Sequence, residues 1–354
     1  MITIACDILV VGAGPAGSSA AREAAARGAD VIVVDRRAVV GVPVQCAEYI
    51  PAPLIGELHL GRGFVVQPVK GMRTFLNGRL LQQIVAPGYT IRRDVFDQML
   101  AEEARKSGAR VLLSTTAVSR QDGEVVVRQK GASLSRIRPR VIIGADGPRS
   151  KVAGWISCNK KELMPAVQVR VALAQLMEFT EIFLDNRIYG GYGWLFPRGN
   201  EANVGVGMKI RNGGDRIGRV LQELLARLAA EGKIKGKPLG ATAGWVPVEA
   251  AQTLRAGNIL LAGDAAGHTH PITGAGIPQA VIGGRMAGKW AACAVDRADL
   301  SALAEYESEW REFFGEALEK ASSRRRLLER EWDRLEEIVK YCWVTFKEYH
   351  SEYE

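Results

Sequence analysis

The stretch Ile4-Ala-Cys-Asp-Ile-Leu-Val-Val11, followed directly by Gly12-Ala-Gly-Pro-Ala-Gly17, decides how this chain folds. The apolar, β-branched run predicts a buried strand, and residues 18–28 (SSAAREAAARG) predict a helix that ends at a glycine. A Gly-x-Gly-x-x-Gly turn between a strand and a helix is typical of a dinucleotide-binding site.

Each small residue of this turn has a predicted task. Gly12 allows the tight turn, Gly14 lets backbone approach a pyrophosphate, and Gly17 lets helix and strand pack closely. We expect Ala16 to contact the nucleotide as well. The helix that follows directs unpaired N–H groups and a positive dipole end at the phosphates.

An acidic residue ends the predicted second strand. Residues 30–34 read as that strand, and Asp35 follows Gly17 by 18 positions. A carboxylate at this spacing accepts hydrogen bonds from ribose hydroxyls. Because it repels a 2′-phosphate, the pattern indicates FAD or NAD and disfavours NADP.

Two later segments repeat the combination of a short apolar strand and an acidic turn. Residues 141–147 read VIIGADG, and residues 258–262 (NILLA) are followed by Gly263-Asp264. A helix is predicted to begin directly after Gly276, at Ile277. Its N-terminus would stabilise negative charge on a reduced ring, and the Asp264 carboxylate would bind a second part of a long cofactor.

Taken in order, these motifs resemble those of FAD-dependent oxidoreductases with the para-hydroxybenzoate hydroxylase-type fold. The resemblance implies an α/β protein with a Rossmann-like FAD-binding domain, an inserted antiparallel-sheet substrate domain and a C-terminal helical segment. The expected FAD-binding domain comprises residues 1–60, 90–160 and 250–298, the substrate domain residues 61–89 and 161–249, and the helical segment residues 299–354.

The middle region carries an aromatic strand. Tyr192, Trp194 and Phe196 are spaced by two, so their rings share one strand face. Such a wall suits a long apolar ligand, since each ring buries a large area without desolvating a charge. Packing of the same rings into the core is the alternative.

The pattern Tyr-x-Trp-x-Phe-Pro, followed by residues 203–207 (NVGVG), is similar to the signature of the geranylgeranyl reductase family. Residues 43–48 (PVQCAE) and 271–277 (PITGAGI) also resemble family motifs, although Tyr49 and Ala275 replace common glycines. The resemblance implies reduction of isolated C=C bonds in a geranylgeranyl or other polyprenyl chain, carried by a lipid or a diphosphate.

The family pattern also suggests roles for single residues. Cys46 is implied beside the flavin ring, where it would shape the pocket or relay a proton, and Ala47 would contact the cofactor. Arg93 would face the FAD phosphates, with Arg92 as its competitor, and Ala117 would lie against adenine. The alternatives are a small buried thiol, a surface salt bridge and ordinary core.

Composition narrows the remaining classes. The 354 residues include 47 Lys and Arg against 39 Asp and Glu, a net charge of +8, with +13 over residues 1–300 and −5 over residues 301–354. The apolar fraction of 47% argues against disorder. Five scattered cysteines without a CxxC pair favour a reducing, cytoplasmic compartment. We expect no signal peptide, no membrane-spanning segment and no nucleic-acid module.

Two features leave choices open. His268 and His270 have HxH spacing, but no third ligand is evident, so we expect no metal. The C-terminal segment predicts helices packed on the body, or an amphipathic contact at a membrane surface with residues 324–326 (RRR) toward lipid head groups.

The expected partners are a prenyl-chain lipid or prenyl diphosphate and an external electron donor, ferredoxin or another reductant, including an NAD(P)H-linked one. Alternatives are a flavin-dependent aromatic monooxygenase or halogenase on the same fold, and a flavin-binding sensor.

Overall fold

The computed structural model describes residues 3–58, 60–158, 161–211, 214, 216–250 and 253–351. The strands are β1 (Thr3–Val11), β2 (Val31–Val34), β3 (Tyr49–Pro51), β4 (Val65–Leu76), β5 (Arg79–Ile91), β6 (Arg110–Leu112), β7 (Thr115–Gln121), β8 (Glu124–Gln129), β9 (Leu134–Gly144), β10 (Leu163–Leu173), β11 (Phe179–Leu184), β12 (Tyr192–Arg198), β13 (Glu201–Gly207), β14 (Ile234–Pro247), β15 (Arg255–Ala256) and β16 (Ile259–Leu261). The α-helices are α1 (Pro15–Ala26), α2 (Ala52–Leu58), α3 (Arg93–Lys106), α4 (Lys151–Trp155), α5 (Ile217–Ala230), α6 (Ile277–Asp296), α7 (Ala304–Trp310), α8 (Glu316–Arg330), α9 (Leu335–Cys342) and α10 (Lys347–His350).

The chain divides into two compact units. The first comprises Met1–Val42, Asp94–Leu163 and Pro247–Glu319, and the second comprises Pro43–Arg93, Met164–Val246 and Lys320–Glu354. Residues 43–60, expected in the FAD-binding domain, belong to the second unit, where β3 pairs with β5. The C-terminal segment, expected as one piece, divides after Glu319.

The sheet of the first unit has the order β15-β16-β9-β1-β2-β6, and the β7–β8 hairpin joins it through β9. The pairs β1–β2, β1–β9, β2–β6 and β9–β16 are parallel. The central strands are buried on both faces, which explains why β1 and β2 read as continuous apolar runs. Because the strands are parallel, their carboxyl ends form one edge of the sheet.

Helices α1 and α6 cross closely over this sheet. A Cβ atom on Gly284 or Gly288 of α6 would lie 2.2 Å from the carbonyl oxygen of Ala16 or Ala20, respectively. Glycine on one helix and alanine on the other therefore set the separation of the two helices.

The second unit contains a sheet of order β14-β10-β13-β12-β11-β4-β5-β3. Antiparallel pairing joins β10–β13, β12–β13, β11–β12 and β4–β5, as expected, and it also joins β3–β5. The β4–β11 pair is parallel. Parallel strands need a long crossover connection, which residues 77–178 provide. Helix α5 packs its buried leucines against the apolar side of this sheet.

The C-terminal segment differs from the prediction that residues 324–326 face lipid head groups. Arg324 and Arg325, expected to face lipid head groups, are only 7% and 5% exposed. Arg325 donates to the carbonyl oxygen of Gly190 at 3.0 Å and pairs with Glu329 at 2.8 Å. Arg324 donates to the carbonyl oxygen of Ser351 at 2.5 Å. These partners hold both guanidiniums inside the second unit, which leaves Arg326 as the exposed member of the triplet. Across the described ranges, no helix combines the length and apolarity needed to cross a bilayer.

Candidate functional site

The glycine turn after β1 packs tightly in the first unit. Gly12 has a φ of +106°, and a Cβ there would lie 2.3 Å from the carbonyl oxygen of Ala145. A Cβ on Gly17 would lie 1.8 Å from the carbonyl oxygen of Gly12. Both positions require glycine, whereas Gly14 has no atom within 4 Å of its Cβ direction. The turn is therefore closed on its protein side and open at Gly14, the N-cap of α1.

Asp35 lies beside this turn, at the carboxyl end of β2. Its Oδ2 accepts from the backbone N–H of Ala13 at 2.7 Å, and its Oδ1 accepts from that of Arg37 at 2.8 Å. The carboxylate is thereby held between the β1 turn and the β2 turn. Each carboxylate oxygen keeps a second lone pair that can accept from a ribose hydroxyl.

The Gly-Asp motif after β16 lies next to the entry of α6. A Cβ on Gly276 would lie 3.7 Å from Oδ1 of Asp264, and Gly276 is the N-cap of this 20-residue helix. Lys161 donates to the carbonyl oxygen of Ala265 at 2.6 Å. Burial lowers the pKa of this amine, an effect opposed by the nearby carboxylates of Asp264 and Asp146. Carboxylate, backbone N–H groups and an amine therefore meet at this edge.

These features fit FAD. The turn is open at Gly14, where a pyrophosphate would need close backbone approach, and two helix N-termini lie at carboxyl ends of the parallel strands. Ala16 is 6% exposed, and its carbonyl oxygen lies against Gly284 of α6. Ala117 on β7 is 5% exposed within the core. Ile277 is the first residue of α6.

The two histidines after this motif have packing roles. His268 stacks on Trp310 with ring centroids 3.4 Å apart, and burial lowers its pKa well below the ordinary value. Nδ1 of His270 accepts from the N–H groups of Ile272 and Thr273, each at 3.3 Å. Among the described residues, no group of three or more His, Cys, Asp and Glu side chains could hold a metal ion.

Cys46 lies in the second unit, in the loop before β3. The backbone N–H of Glu48 donates to its Sγ at 3.2 Å. Burial raises the pKa of the thiol, although the guanidinium of Arg93 and this N–H oppose the rise. The sulfur is therefore held as a thiol at neutral pH and has a proton to give.

Buried side chains tie the Cys46 loop to the sheet. Nε2 of Gln168 on β10 donates to the carbonyl oxygen of Cys46 at 3.1 Å. Nδ2 of Asn203 on β13 donates to the carbonyl oxygen of Ala47 at 3.2 Å and to Oε2 of Glu48 at 3.0 Å. Gln168 and Asn203 are 8% and 1% exposed, and the bond from Asn203 to Glu48 is fully buried.

The aromatic strand is connected to the same loop. The indole Nε1–H of Trp194 donates to Oε1 of Gln168 at 2.9 Å. Its ring lies over Gly205, where a Cβ would be 2.3 Å from Cζ2 of the indole. Gly205 is the central glycine of the NVGVG segment, and Trp194 pairs with it in register. The two signature segments are thus parts of one packing arrangement.

The three predicted wall residues differ in exposure. Trp194 and Phe196 are 8% and 7% exposed, and Phe196 packs against Tyr49 with ring centroids 5.9 Å apart. Tyr192 is partly exposed and contacts both Trp194 and Trp343 edge to face. Burial raises the pKa of its hydroxyl, with a smaller contribution from the neighbouring Cys46. Tyr192 is connected to Cys46 through Trp194 and Gln168.

The structure groups the predicted residues into two sets. Within the first unit it brings together the β1 turn, Asp35, Asp264 and the start of α6. Within the second it brings together Cys46, Ala47, Arg93 and the aromatic strand. Sequence reasoning missed Gln168, Asn203 as a bonding partner, and Trp343. The first residue of the NxGxG pattern was the one signal that could have indicated Asn203.

Family models cover most of the chain. One described as "FAD binding domain" matches residues 86–322, and one described as "FAD dependent oxidoreductase" matches residues 7–148. These matches confirm the predicted cofactor and enzyme class.

Curated relatives and solved structures agree with this assignment. Digeranylgeranylglycerophospholipid reductase of Methanosarcina acetivorans is 33% identical, over 97% of this chain and 86% of the relative. A Methanopyrus kandleri protein of the same name is 35% identical, over 95% and 93%. A geranylgeranyl bacteriochlorophyll reductase-like protein from Thermoplasma acidophilum superposes with a TM-score of 0.86 at 27% identity, covering 99% and 94%. A flavin-dependent brominase (TM-score 0.73, 17% identity, covering 97% and 96%) shares the fold.

Proposed function

Because the chain belongs to the digeranylgeranylglycerophospholipid reductase family of FAD-dependent oxidoreductases, we propose that it saturates C=C bonds in the prenyl chains of a glycerophospholipid. The chemical class is a polyprenyl chain, carried by a glycerolipid or by a diphosphate. The names of the relatives favour the glycerophospholipid.

One observation supports this proposal most directly. The cluster around the Cys46 loop is largely buried and hydrogen-bonded, and its partly exposed members include Cys46 and Tyr192. An aromatic ring and a protonated thiol are thus both partly exposed in one cluster, connected through Trp194 and Gln168. The aromatic ring offers an apolar chain a contact surface, and the thiol offers a proton to an alkene that must gain one.

The proposed reaction adds two hydrogens across one double bond. FAD, when bound in its reduced form, supplies a hydride to one alkene carbon. The Sγ–H of Cys46 gives its proton to the other carbon, so that the π bond breaks and two C–H bonds form. The N–H of Glu48 stabilises the thiolate that remains, and solvent returns the proton.

We assign cofactor and substrate contacts on the same basis. The residues proposed to hold FAD are Gly12, Gly14, Ala16, Gly17, Asp35, Cys46, Ala47, Arg93, Ala117, Asp264, Gly276 and Ile277. The residues proposed to contact the prenyl chain are Tyr192, Trp194 and Phe196. The isolated alkene lacks a polarising carbonyl, so orientation and exclusion of water are the main tasks of these residues.

The two electrons come from an external donor in this proposal, ferredoxin or another reductant, including one linked to NAD(P)H. The net charge of +13 over residues 1–300 favours an acidic donor protein. The protein would take a lipid substrate from a membrane surface by peripheral contact. Arg326 is exposed and could pair with lipid head groups in such a contact.

The test is an anaerobic incubation of dithionite-reduced, FAD-loaded protein with a digeranylgeranyl glycerophospholipid, followed by mass spectrometry. We expect mass gains of whole hydrogen pairs. The matched arm replaces the lipid by geranylgeranyl diphosphate and identifies the carrier. Unchanged prenyl masses in both arms would overturn the proposal. A parallel incubation in air with an aromatic compound would then identify a monooxygenase by a gain of one oxygen.

A further inference from the structure

Glu48 is a buried carboxylate held in an unusual backbone conformation. It is 1% exposed, and its φ is +66°, a left-handed value that non-glycine residues rarely adopt. Burial of a charge and a left-handed backbone both cost free energy unless the surroundings compensate. Neither feature is needed for a simple turn, where glycine or asparagine would serve.

Four groups converge on this carboxylate from different parts of the second unit. Oε1 accepts from the backbone N–H of Arg93 at 3.0 Å. Oε2 accepts from Nδ2 of Asn203 at 3.0 Å and lies 3.2 Å from Nε of Arg198 and 3.5 Å from Nη2 of Arg170. The carboxylate therefore joins its loop to the start of α3 and to strands β10, β12 and β13.

The charged and titratable groups around the thiol are arranged in two layers. Nearest to the sulfur, the N–H of Glu48 donates to Sγ and the Glu48 carboxylate accepts from the N–H of Arg93, and the charges of Arg93 and Glu48 both act on the thiol. The hydroxyl of Tyr192 on β12 also interacts electrostatically with Cys46. Behind Glu48, Arg170 and Arg198 also approach Glu201, at 3.6 Å and 3.8 Å. Without the Glu48 charge, Arg93 would face the sulfur with no carboxylate beside it.

We propose that Glu48 is a positioning residue for Cys46: it pins the thiol loop to the sheet and supplies the negative charge that offsets Arg93 beside the sulfur. The inference rests on the proposed function in one respect, because a proton donor must remain protonated until the alkene accepts the proton. Glu48 and Arg93 act on the pKa of the thiol in opposite directions, Glu48 raising it and Arg93 lowering it. Loss of the Glu48 charge should therefore make Cys46 ionise at lower pH.

The experiment measures the rate at which iodoacetamide alkylates Cys46 as a function of pH, in oxidised protein saturated with FAD. Peptide mass spectrometry separates Cys46 from the other four cysteines. Because the thiolate is the reactive form, the midpoint of the profile reports ionisation. In Glu48→Gln, which keeps the shape and one of the two acceptor oxygens, we expect the midpoint to fall by about one pH unit.

Glu201→Gln is the matched control, because Glu201 approaches the same two arginines, at 3.6 Å and 3.8 Å, yet is 35% exposed on its side chain. Its midpoint should equal that of the wild type. An unchanged or higher midpoint in folded Glu48→Gln overturns the proposal, since a merely structural role would alter the alkylation rate without lowering the midpoint.

A second pair of variants tests the proposal if Glu48→Gln alone fails to fold. Arg93→Gln should raise the midpoint, and adding Glu48→Gln to it should lower the midpoint again by about one unit. Equal midpoints in these two proteins overturn the proposal. The readout needs no prenyl substrate, so a shifted midpoint without lipid reduction would refute the proposed function and support the role of Glu48. Lipid reduction with an unshifted midpoint would do the reverse.

Discussion

The indole N–H of Trp194 donates a 2.9 Å hydrogen bond to Gln168, whose own amide donates to the carbonyl oxygen of Cys46. The wall proposed to hold the substrate and the thiol proposed to deliver a proton are therefore joined through one side chain.

Gln168→Glu should separate the two halves of this link. The carboxylate can still accept from the indole, but it has no donor for the carbonyl oxygen of Cys46. Repulsion between the two oxygens should release the loop and lower kcat by about tenfold or more, the effect of displacing a catalytic group. Turnover and denaturant unfolding should be measured together. Gln168→Met removes both bonds, and we expect it to lose kcat to the same extent. A wild-type kcat in both variants would contradict the role of Gln168.

Gly205→Ala should destabilise the second unit by roughly 1–3 kcal/mol, because its Cβ would lie 2.3 Å from the Trp194 ring and 2.7 Å from the carbonyl oxygen of Val167. Gly218→Ala is the control. It lies exposed on α5 with no atom within 4 Å of its Cβ direction, and should stabilise the helix by roughly 0.5–1 kcal/mol. Urea denaturation measures both changes, and equal midpoints for the two variants would refute the packing explanation.

Cys46→Ala should retain FAD and lose turnover by roughly 10²- to 10⁴-fold, the usual contribution of a positioned acid. The wild-type rate should be constant through neutral pH and fall as alkali ionises the thiol, because burial raises its pKa above the ordinary thiol value. Cys293→Ala, at a partly buried cysteine of α6, should behave as wild type. Full activity in Cys46→Ala would remove the thiol from the mechanism.

Asp35→Asn should weaken FAD binding by roughly 10- to 100-fold, since a charged acceptor for the ribose is lost. Flavin fluorescence on titration of the apoprotein measures the affinity. Asp30→Asn is the matched control, because Asp30 directly precedes β2, at the opposite end of this strand from Asp35, and pairs with exposed Arg110 at 2.8 Å. An affinity that is unchanged in Asp35→Asn would place the ribose elsewhere.

His270 should make the first unit sensitive to acid. Burial lowers its pKa to about 4, so the unfolded chain binds the proton first as the pH falls below about 6.5. Stability should therefore decrease between about pH 6.5 and pH 4, by at most ~1.4 kcal/mol per pH unit for this group. His270→Asn keeps an acceptor for the two N–H groups without the titration, so its unfolding free energy should fall less over this range.

Much of the first unit could be predicted because its information is local. The tight turn at Gly12, the open position at Gly14 and the carboxylate at Asp35 each follow from residues adjacent to a strand or helix end. The family models and relatives confirm the FAD assignment reached from those motifs.

The support around Cys46 could not be predicted in the same way. The bonds from Gln168 to Cys46 and from Asn203 to Ala47 join residues 122 and 156 positions apart. Which side chains meet across such distances depends on strand order and register, and a shift by one residue would point each of them to the opposite face. Periodicity placed Tyr192, Trp194 and Phe196 on one face, but their different exposures follow from the neighbours that the folded sheet supplies.

Glu48 shows the same division most clearly. Read along the chain, a glutamate beside a cysteine could equally be a surface residue. Its role depends on three arginines and an asparagine brought from α3, β10, β12 and β13. The cofactor motifs consist of consecutive residues, so the sequence alone determines them. The electrostatic surroundings of the thiol form only when distant strands pair, because charges interact through space and not along the backbone.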